Sequence, residues 1–170
     1  MGYSMRLRIA GITLALGLMA LVWGQAPGLR LTLLTFQVVQ AQGQKEELRQ
    51  ALEVRPGDIL EYRLEAENVS NAPQKQVSLV LPIPKETAYL EGSATVLELR
   101  GLRILPTFSY DGGKTFGLPP LKRKVKVVEG GKEVEKEVEV KPEEYTHVRW
   151  VIPELGPKEK VVLKARVIVR

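Results

Sequence analysis

Residues 54–84 read VRPGDILEYRLEAENVSNAPQKQVSLVLPIP, and the reading of this stretch decides the fold. Pro56-Gly57-Asp58 opens it with residues that disfavour helix and supply a tight bend. From there Leu60, Tyr62, Leu64 and Ala66 alternate with Glu61, Arg63, Glu65 and Glu67. A period of two sends the two sets to opposite faces of a strand, one apolar and one wetted. Residues 68–73, NVSNAP, form a turn cluster. Val77, Leu79 and Leu81 then resume the alternation until Pro82 and Pro84 remove ladder donors and stop the strand.

The same period returns at the far end. Thr146, Val148, Trp150 and Ile152 share one parity, with Trp150 as the central plug of a core; His147 and Arg149 take the outward parity. Residues 153–157 read as a turn. Val161, Leu163, Ala165, Val167 and Val169 form the inward face of a last strand, with Lys160, Lys164 and Arg166 outward. Between the two ends, residues 94–99 and 102–110 read as strands about Arg100-Gly101.

Residues 121–140 are a hairpin closed by the two-residue turn Gly130-Gly131. That closure sets Lys126 opposite Glu135, Lys124 opposite Glu137, Lys122 opposite Glu139, and Val127 opposite Val134 on the reverse face. Each exposed pair contributes about 0.2–1 kcal/mol, so the charge match serves mainly to specify register. Because the basic strand is neutralised by its own partner, the hairpin is a poor ligand for anionic polysaccharide. Ahead of it, residues 109–116, SYDGGKTF, resemble the Asp-box hairpin of sialidases and other β-proteins. Asp111 accepts from nearby backbone N–H groups there, while Gly112 and Gly113 take positive φ. Propellers carry several such boxes and this chain one, which argues for a structural clasp and against a sialidase.

Several of these motifs resemble the secreted prokaryotic repeat module known as DUF11, an immunoglobulin-like sandwich. They are Pro56, Gly57 and Asp58; Tyr62 and Asn68; Asn71, Ala72 and Pro73; then Pro84, Tyr89, Gly92, Ser93 and Ala94. Residues 148–167, with their Leu-Gly-Pro bend, are similar to the last two strands of the module. The resemblance covers residues 54–96 and 146–169. It implies an immunoglobulin-like two-sheet sandwich and placement at the cell envelope or surface, and it carries no catalytic site. Residues 101–144 are an elaboration beyond it.

Residues 29–39, LRLTLLTFQVV, form the most apolar stretch after the N-terminus. Leu29, Leu31 and Leu33 have one parity and Leu34, Phe36 and Val38 the other, which predicts a bulge or bend that changes the buried face. The stretch serves either as a core strand of its own domain or as a strand donated to a neighbour. In both cases Leu31, Leu33, Leu34, Phe36 and Val38 are the candidate interaction edge. Residues 40–50 read as a polar connector or a short helical turn.

The N-terminus has the three parts of a secretory signal. Arg6 and Arg8 precede an apolar run over residues 9–23, and small residues follow at Gly24 and Ala26. We expect a helical signal peptide over residues 1–24, cleaved before Gln25, and a single β-sandwich over residues 25–170. The alternative is an uncleaved anchor, although the run is short of the roughly 20 residues that span a bilayer. Loss of Arg6 and Arg8 lowers the net charge from +5 to +3. That charge is mild and of alternating sign, so nucleic acid is not an expected partner. There is no cysteine, which removes disulfides, thiolate metal sites and cysteine nucleophiles.

The remaining chemistry is sparse. His147 is the single histidine, and its outward parity predicts a solvated side chain. Asp58 and Asp111 are the only aspartates, each in a glycine-containing turn, so no calcium loop is expected. The glutamates lie mostly beside Lys or Arg on strand faces, which is the pattern of wetted surface rather than a glycosidase pair. Asn68-Val69-Ser70 satisfies the glycosylation triplet but reads as a turn. The sequence therefore predicts a non-enzymatic, exported module of the periplasm, envelope or exterior, with no cofactor. Its partner is an envelope protein, a polysaccharide or another copy of itself, and membrane contact runs only through an uncleaved signal segment. The alternative is a soluble binding protein holding a peptide or glycan at an exposed edge or at residues 101–110. Tyr110 and Phe116, beside one turn, hint at glycan.

Overall fold

The computed structural model describes residues 28–40, 45–51 and 53–170; the signal segment lies outside them. Four strands come first: β1 (Leu29–Gln40), β2 (Glu46–Gln50), β3 (Ile59–Asn68) and β4 (Gln74–Pro82). Four short ones follow: β5 (Thr87–Tyr89), β6 (Leu97–Leu99), β7 (Leu102–Ile104) and β8 (Thr107–Ser109). The chain ends with β9 (Lys122–Glu129), β10 (Lys132–Glu139), β11 (His147–Leu155) and β12 (Lys160–Val169). Among the described residues the sole helical element is the 3-10 turn Pro142–Glu144. A five-stranded sheet, β2-β1-β3-β12-β5, packs on a three-stranded one, β4-β11-β8, and β6-β7 and β9-β10 are separate hairpins. The molecule is the all-β two-sheet sandwich with an extended charged hairpin that the alternation predicts.

One core fills the space between the sheets. Leu60, Tyr62, Leu64 and Ala66 of β3 lie beside Val161, Leu163, Ala165 and Val167 of β12. They meet Val77, Leu79 and Leu81 of β4 and Val148, Trp150 and Ile152 of β11. Every residue assigned inward on these four strands is buried except Thr146, which is half-buried just ahead of β11. Full burial of each large apolar side chain contributes about 1.5–3 kcal/mol, so this interface is the main source of stability. Trp150 is completely enclosed, and its indole N–H donates to Thr95 O at 2.8 Å.

β1 departs from expectation. Its register with β3 runs without interruption from Leu29↔Asn68 to Val38↔Ile59, so no bulge changes its face. Leu29, Leu31 and Leu33 pack on the core; Leu34, Phe36 and Val38 lie on the outer face of the sheet. The phase of the apolar residues changes because the outer face is itself partly covered. Within the single chain β1 pairs as a strand of its own sheet. Of the candidate edge, Phe36 and Val38 are already paired with β2, through Phe36↔Gln50 and Val38↔Leu48. Leu31, Leu33 and Leu34 pair on one side only among the described residues. Residues 46–50, expected to be connector or helix, are strand β2 because that second half of β1 offers a ladder.

Two smaller corrections follow from pairing. β11 continues through Pro153, expected to turn, to Leu155. The missing donor of Pro153 falls between Ile152↔Val77 and Glu154↔Lys75, beside Gln76, which itself adopts φ +52°. The segment expected as one strand over residues 102–110 is β7 and β8, divided at Leu105-Pro106.

The hairpin has the predicted register, from Lys132↔Glu129 to Glu139↔Lys122, with Val134↔Val127 among its pairs. Gly130 and Gly131 both have positive φ, +56° and +75°, which a type I′ turn requires. The charges, however, close diagonally. Lys126 reaches Glu133 at 4.0 Å rather than Glu135 opposite, and Lys136 contacts Glu129. Among the described residues, Lys122, Lys124, Glu135, Glu137 and Glu139 form no ion pair.

Candidate interaction site

The outer face of the five-stranded sheet carries a linked set of charges. Glu61 faces outward from β3, as its parity requires, yet is only 5% exposed. Arg63 Nη2 donates to it at 3.0 Å and Arg166 Nε at 3.3 Å. Arg166 also donates to both carboxylate oxygens of Glu46 on β2, at 3.1 and 2.9 Å. Those hydrogen bonds hold the Glu46 carboxyl below its usual value. The Arg63 guanidinium lies 5.0 Å from the Phe36 ring centre. Leu34, Phe36 and Val38 thus share this face with ion pairs, and no continuous apolar strip forms there.

The Asp111 loop folds over the outer face of β11. Asp111 Oδ1 accepts from Ser109 Oγ at 2.7 Å and from the backbone N–H groups of Lys114 and Thr115 at 3.1 and 3.0 Å. Its Oδ2 accepts from Thr115 Oγ1 at 2.6 Å. These bonds, those of Thr115 and Ser109 first, hold its carboxyl far below the ordinary range. Gly112 and Gly113 take φ of +78° and +89°, as the turn demands. The loop is the clasp the motif describes.

That clasp covers His147. The ring lies 3.7 Å from where a Cβ on Gly113 would stand, and its Nδ1 is 3.0 Å from Thr146 Oγ1. The residue is half-buried, not solvated; desolvation lowers its pKa, and the Asp111 charge opposes that. Phe116 is likewise capped by the Arg149 guanidinium, 4.1 Å from its ring centre. Tyr110 packs against the core. Tyr110 and Phe116 therefore do not form an open aromatic platform. Among the described residues, no group of three or more His, Asp or Glu side chains is placed to hold a metal ion.

The surface feature without an internal explanation is a groove of about 450 Å³ at one end of the sandwich. Its floor is an aromatic cluster: Phe108 lies 4.8 Å from Tyr89 and 4.9 Å from Tyr145, centre to centre. Its rim is aliphatic, with Val96, Leu105 and Leu118 exposed at 39, 42 and 55%. Glu91 is the only charged residue lining it. Leu105 precedes Pro106 and Leu118 precedes Pro119, and neither belongs to a strand. Apolar residues beside prolines in loops were the available signal, and alternation is blind to them. The groove takes in Leu105, Pro106 and Phe108 from the region considered for ligand binding.

Asn68 of the glycosylation triplet is fully buried, with its amide bonded on both sides; it is a structural residue. Compared with family models, curated proteins and solved structures, the chain matches none of them.

Proposed function

We propose that the protein is a non-enzymatic, exported module of the cell envelope or surface that holds an apolar segment of another envelope protein in the Leu105–Leu118 groove. The observation that carries this is the groove's rim: three large aliphatic side chains left wet beside an aromatic floor, on a surface otherwise rich in charge. Its volume falls within the range of binding clefts, roughly 300–1,000 Å³. Export rests on the signal-like N-terminus, and envelope placement on the resemblance to DUF11 modules. The lining favours peptide over polysaccharide. Sugar hydroxyls need several polar partners, and the aromatic faces that would stack on a pyranose are buried in the floor.

A photo-crosslinking residue at Leu118, introduced in the native producer cell, tests the reading directly. The expected result is one crosslinked envelope protein in the particulate fraction, with the mature chain beginning at Gln25 by intact mass; adding L105E to the probe-bearing chain should abolish the adduct. Recovery as a free monomer with no adduct overturns the envelope role. The same groove then supports a second reading, a soluble peptide-binding protein, which a peptide-library screen against wild type and L105E/L118E decides.

A further inference from the structure

Among the described residues, β9 and β10 pair only with each other, so both outer edges of the ribbon are open. All eight residues of β10 are exposed. Which backbone groups face outward follows from the turn. A two-residue I′ turn makes Glu129 and Lys132 a hydrogen-bonded pair, and hydrogen-bonded pairs recur at every second residue. The base of the ribbon keeps this phase, since Val140 N donates to Leu121 O at 2.8 Å. The ladder groups of Glu133, Glu135, Glu137 and Glu139 therefore point away from β9. Those of Lys122, Lys124, Lys126 and Val128 point away from β10.

The side chains at these outward positions discriminate between pairings. Two β10 edges brought together would set glutamate rows side by side, and two β9 edges would do the same with lysines. Like charges opposite one another in a ladder are destabilising. A β10 edge against the β9 edge of a second copy instead sets Glu135, Glu137 and Glu139 opposite Lys126, Lys124 and Lys122. This is the register already used inside the hairpin. Except for Lys126, which reaches Glu133 at 4.0 Å, these side chains have no ion pair among the described residues. The reverse face agrees: Val125, Val127, Val134 and Val138 continue outward from the buried Leu121 and Val140. Stacking copies would bring Val134 beside Val127 of the next.

We propose that the hairpin is a self-complementary docking element: β10 of one copy accepts β9 of another, head to tail, in an antiparallel ladder. Such a contact is heterologous. It leaves one acidic and one basic edge free at each step, so it extends into an open assembly rather than closing as a symmetric dimer. It does not depend on the groove, and L105E/L118E leaves it intact.

The test is sedimentation of the mature chain over a concentration series, at low and high ionic strength. The expected result is a mass that climbs past dimer with concentration and returns to monomer as salt screens the rows. E135K/E137K/E139K should lose every species above monomer while the sandwich keeps its near-ultraviolet spectrum. Because that variant also loses its internal charge match, a second one exchanges both rows: K122E/K124E/K126E/E135K/E137K/E139K. It should associate with itself as wild type does, since the exchange restores opposite charges at every β10–β9 contact. A wild type monomeric at low salt, a closed dimer, or an exchanged variant that stays monomeric would overturn the proposal.

Discussion

Asn68 at the end of β3 donates its side-chain amide to Leu155 O and Gly156 O, each at 3.0 Å, partners 87 and 88 residues along the chain. The same amide donates to Ala72 O at 2.8 Å, and its oxygen accepts from Ser70 Oγ at 2.6 Å. One buried side chain therefore joins the two turns at which the chain crosses between sheets, from β3 to β4 and from β11 to β12. The backbone N–H of Asn68 itself completes the link by donating to Glu159 O.

Replacing Asn68 with Ala removes the side-chain donor to the buried Leu155 carbonyl. We expect a loss of about 1–3 kcal/mol, because an unsatisfied buried acceptor costs its full desolvation. Chemical denaturation checks this; a change within a few tenths of wild type would mean that the turns hold themselves. N68D should be worse than a conservative change, since it removes the donor and buries a charge.

Tyr62 presents the opposite case. Its hydroxyl is buried without a hydrogen-bond partner among the described residues, and desolvation first, then the Glu86 charge, push its pKa from 10.0 to about 12. Below pH 10 the phenol is neutral in both folded and unfolded chains. Above it the unfolded chain ionises first, so stability falls as pH rises from 10 towards 12. Y62F should be neutral or stabilising at pH 7 and should lack this alkaline loss. Thermal melts of both proteins across that window decide it.

Asp111 sets an acid limit. Its folded pKa is depressed, so its contribution is complete above the unfolded value of 3.8 and is lost as pH falls through the folded one. D111N should flatten that acid loss and free the clasp over His147, seen as faster hydrogen exchange at Lys114 and Thr115. An unchanged acid profile would show that the backbone alone holds the loop.

For Trp150 we expect W150F to cost about 1–3 kcal/mol, from the cavity and from Thr95 O left without its donor, and W150A about 3–5 kcal/mol. Denaturant midpoints at equal slope are the measurement. A W150F loss near zero would mean that the core closes over the gap.

Legibility followed the range of the interaction. The inward faces of β3, β4, β11 and β12 were readable because alternation is a property of neighbouring residues. The hairpin register was readable because Gly130-Gly131 and the strand residues lie within twenty positions of one another. For Phe36 and Val38, periodicity marked apolar residues but not which layer covered them. The groove was illegible for a related reason: Tyr89, Phe108 and Tyr145 come from distant segments, and Leu105 and Leu118 from loops with no period.

By itself, then, the sequence determined the four central strands with their faces and the register of the Gly130-Gly131 hairpin, all set by local stereochemistry. The tertiary structure alone decided that β1 stays in its own sheet, that Glu61 is buried between two arginines and that His147 lies under a loop. Each of those depends on which surface another segment covers, and coverage is a long-range outcome that a period of two does not encode.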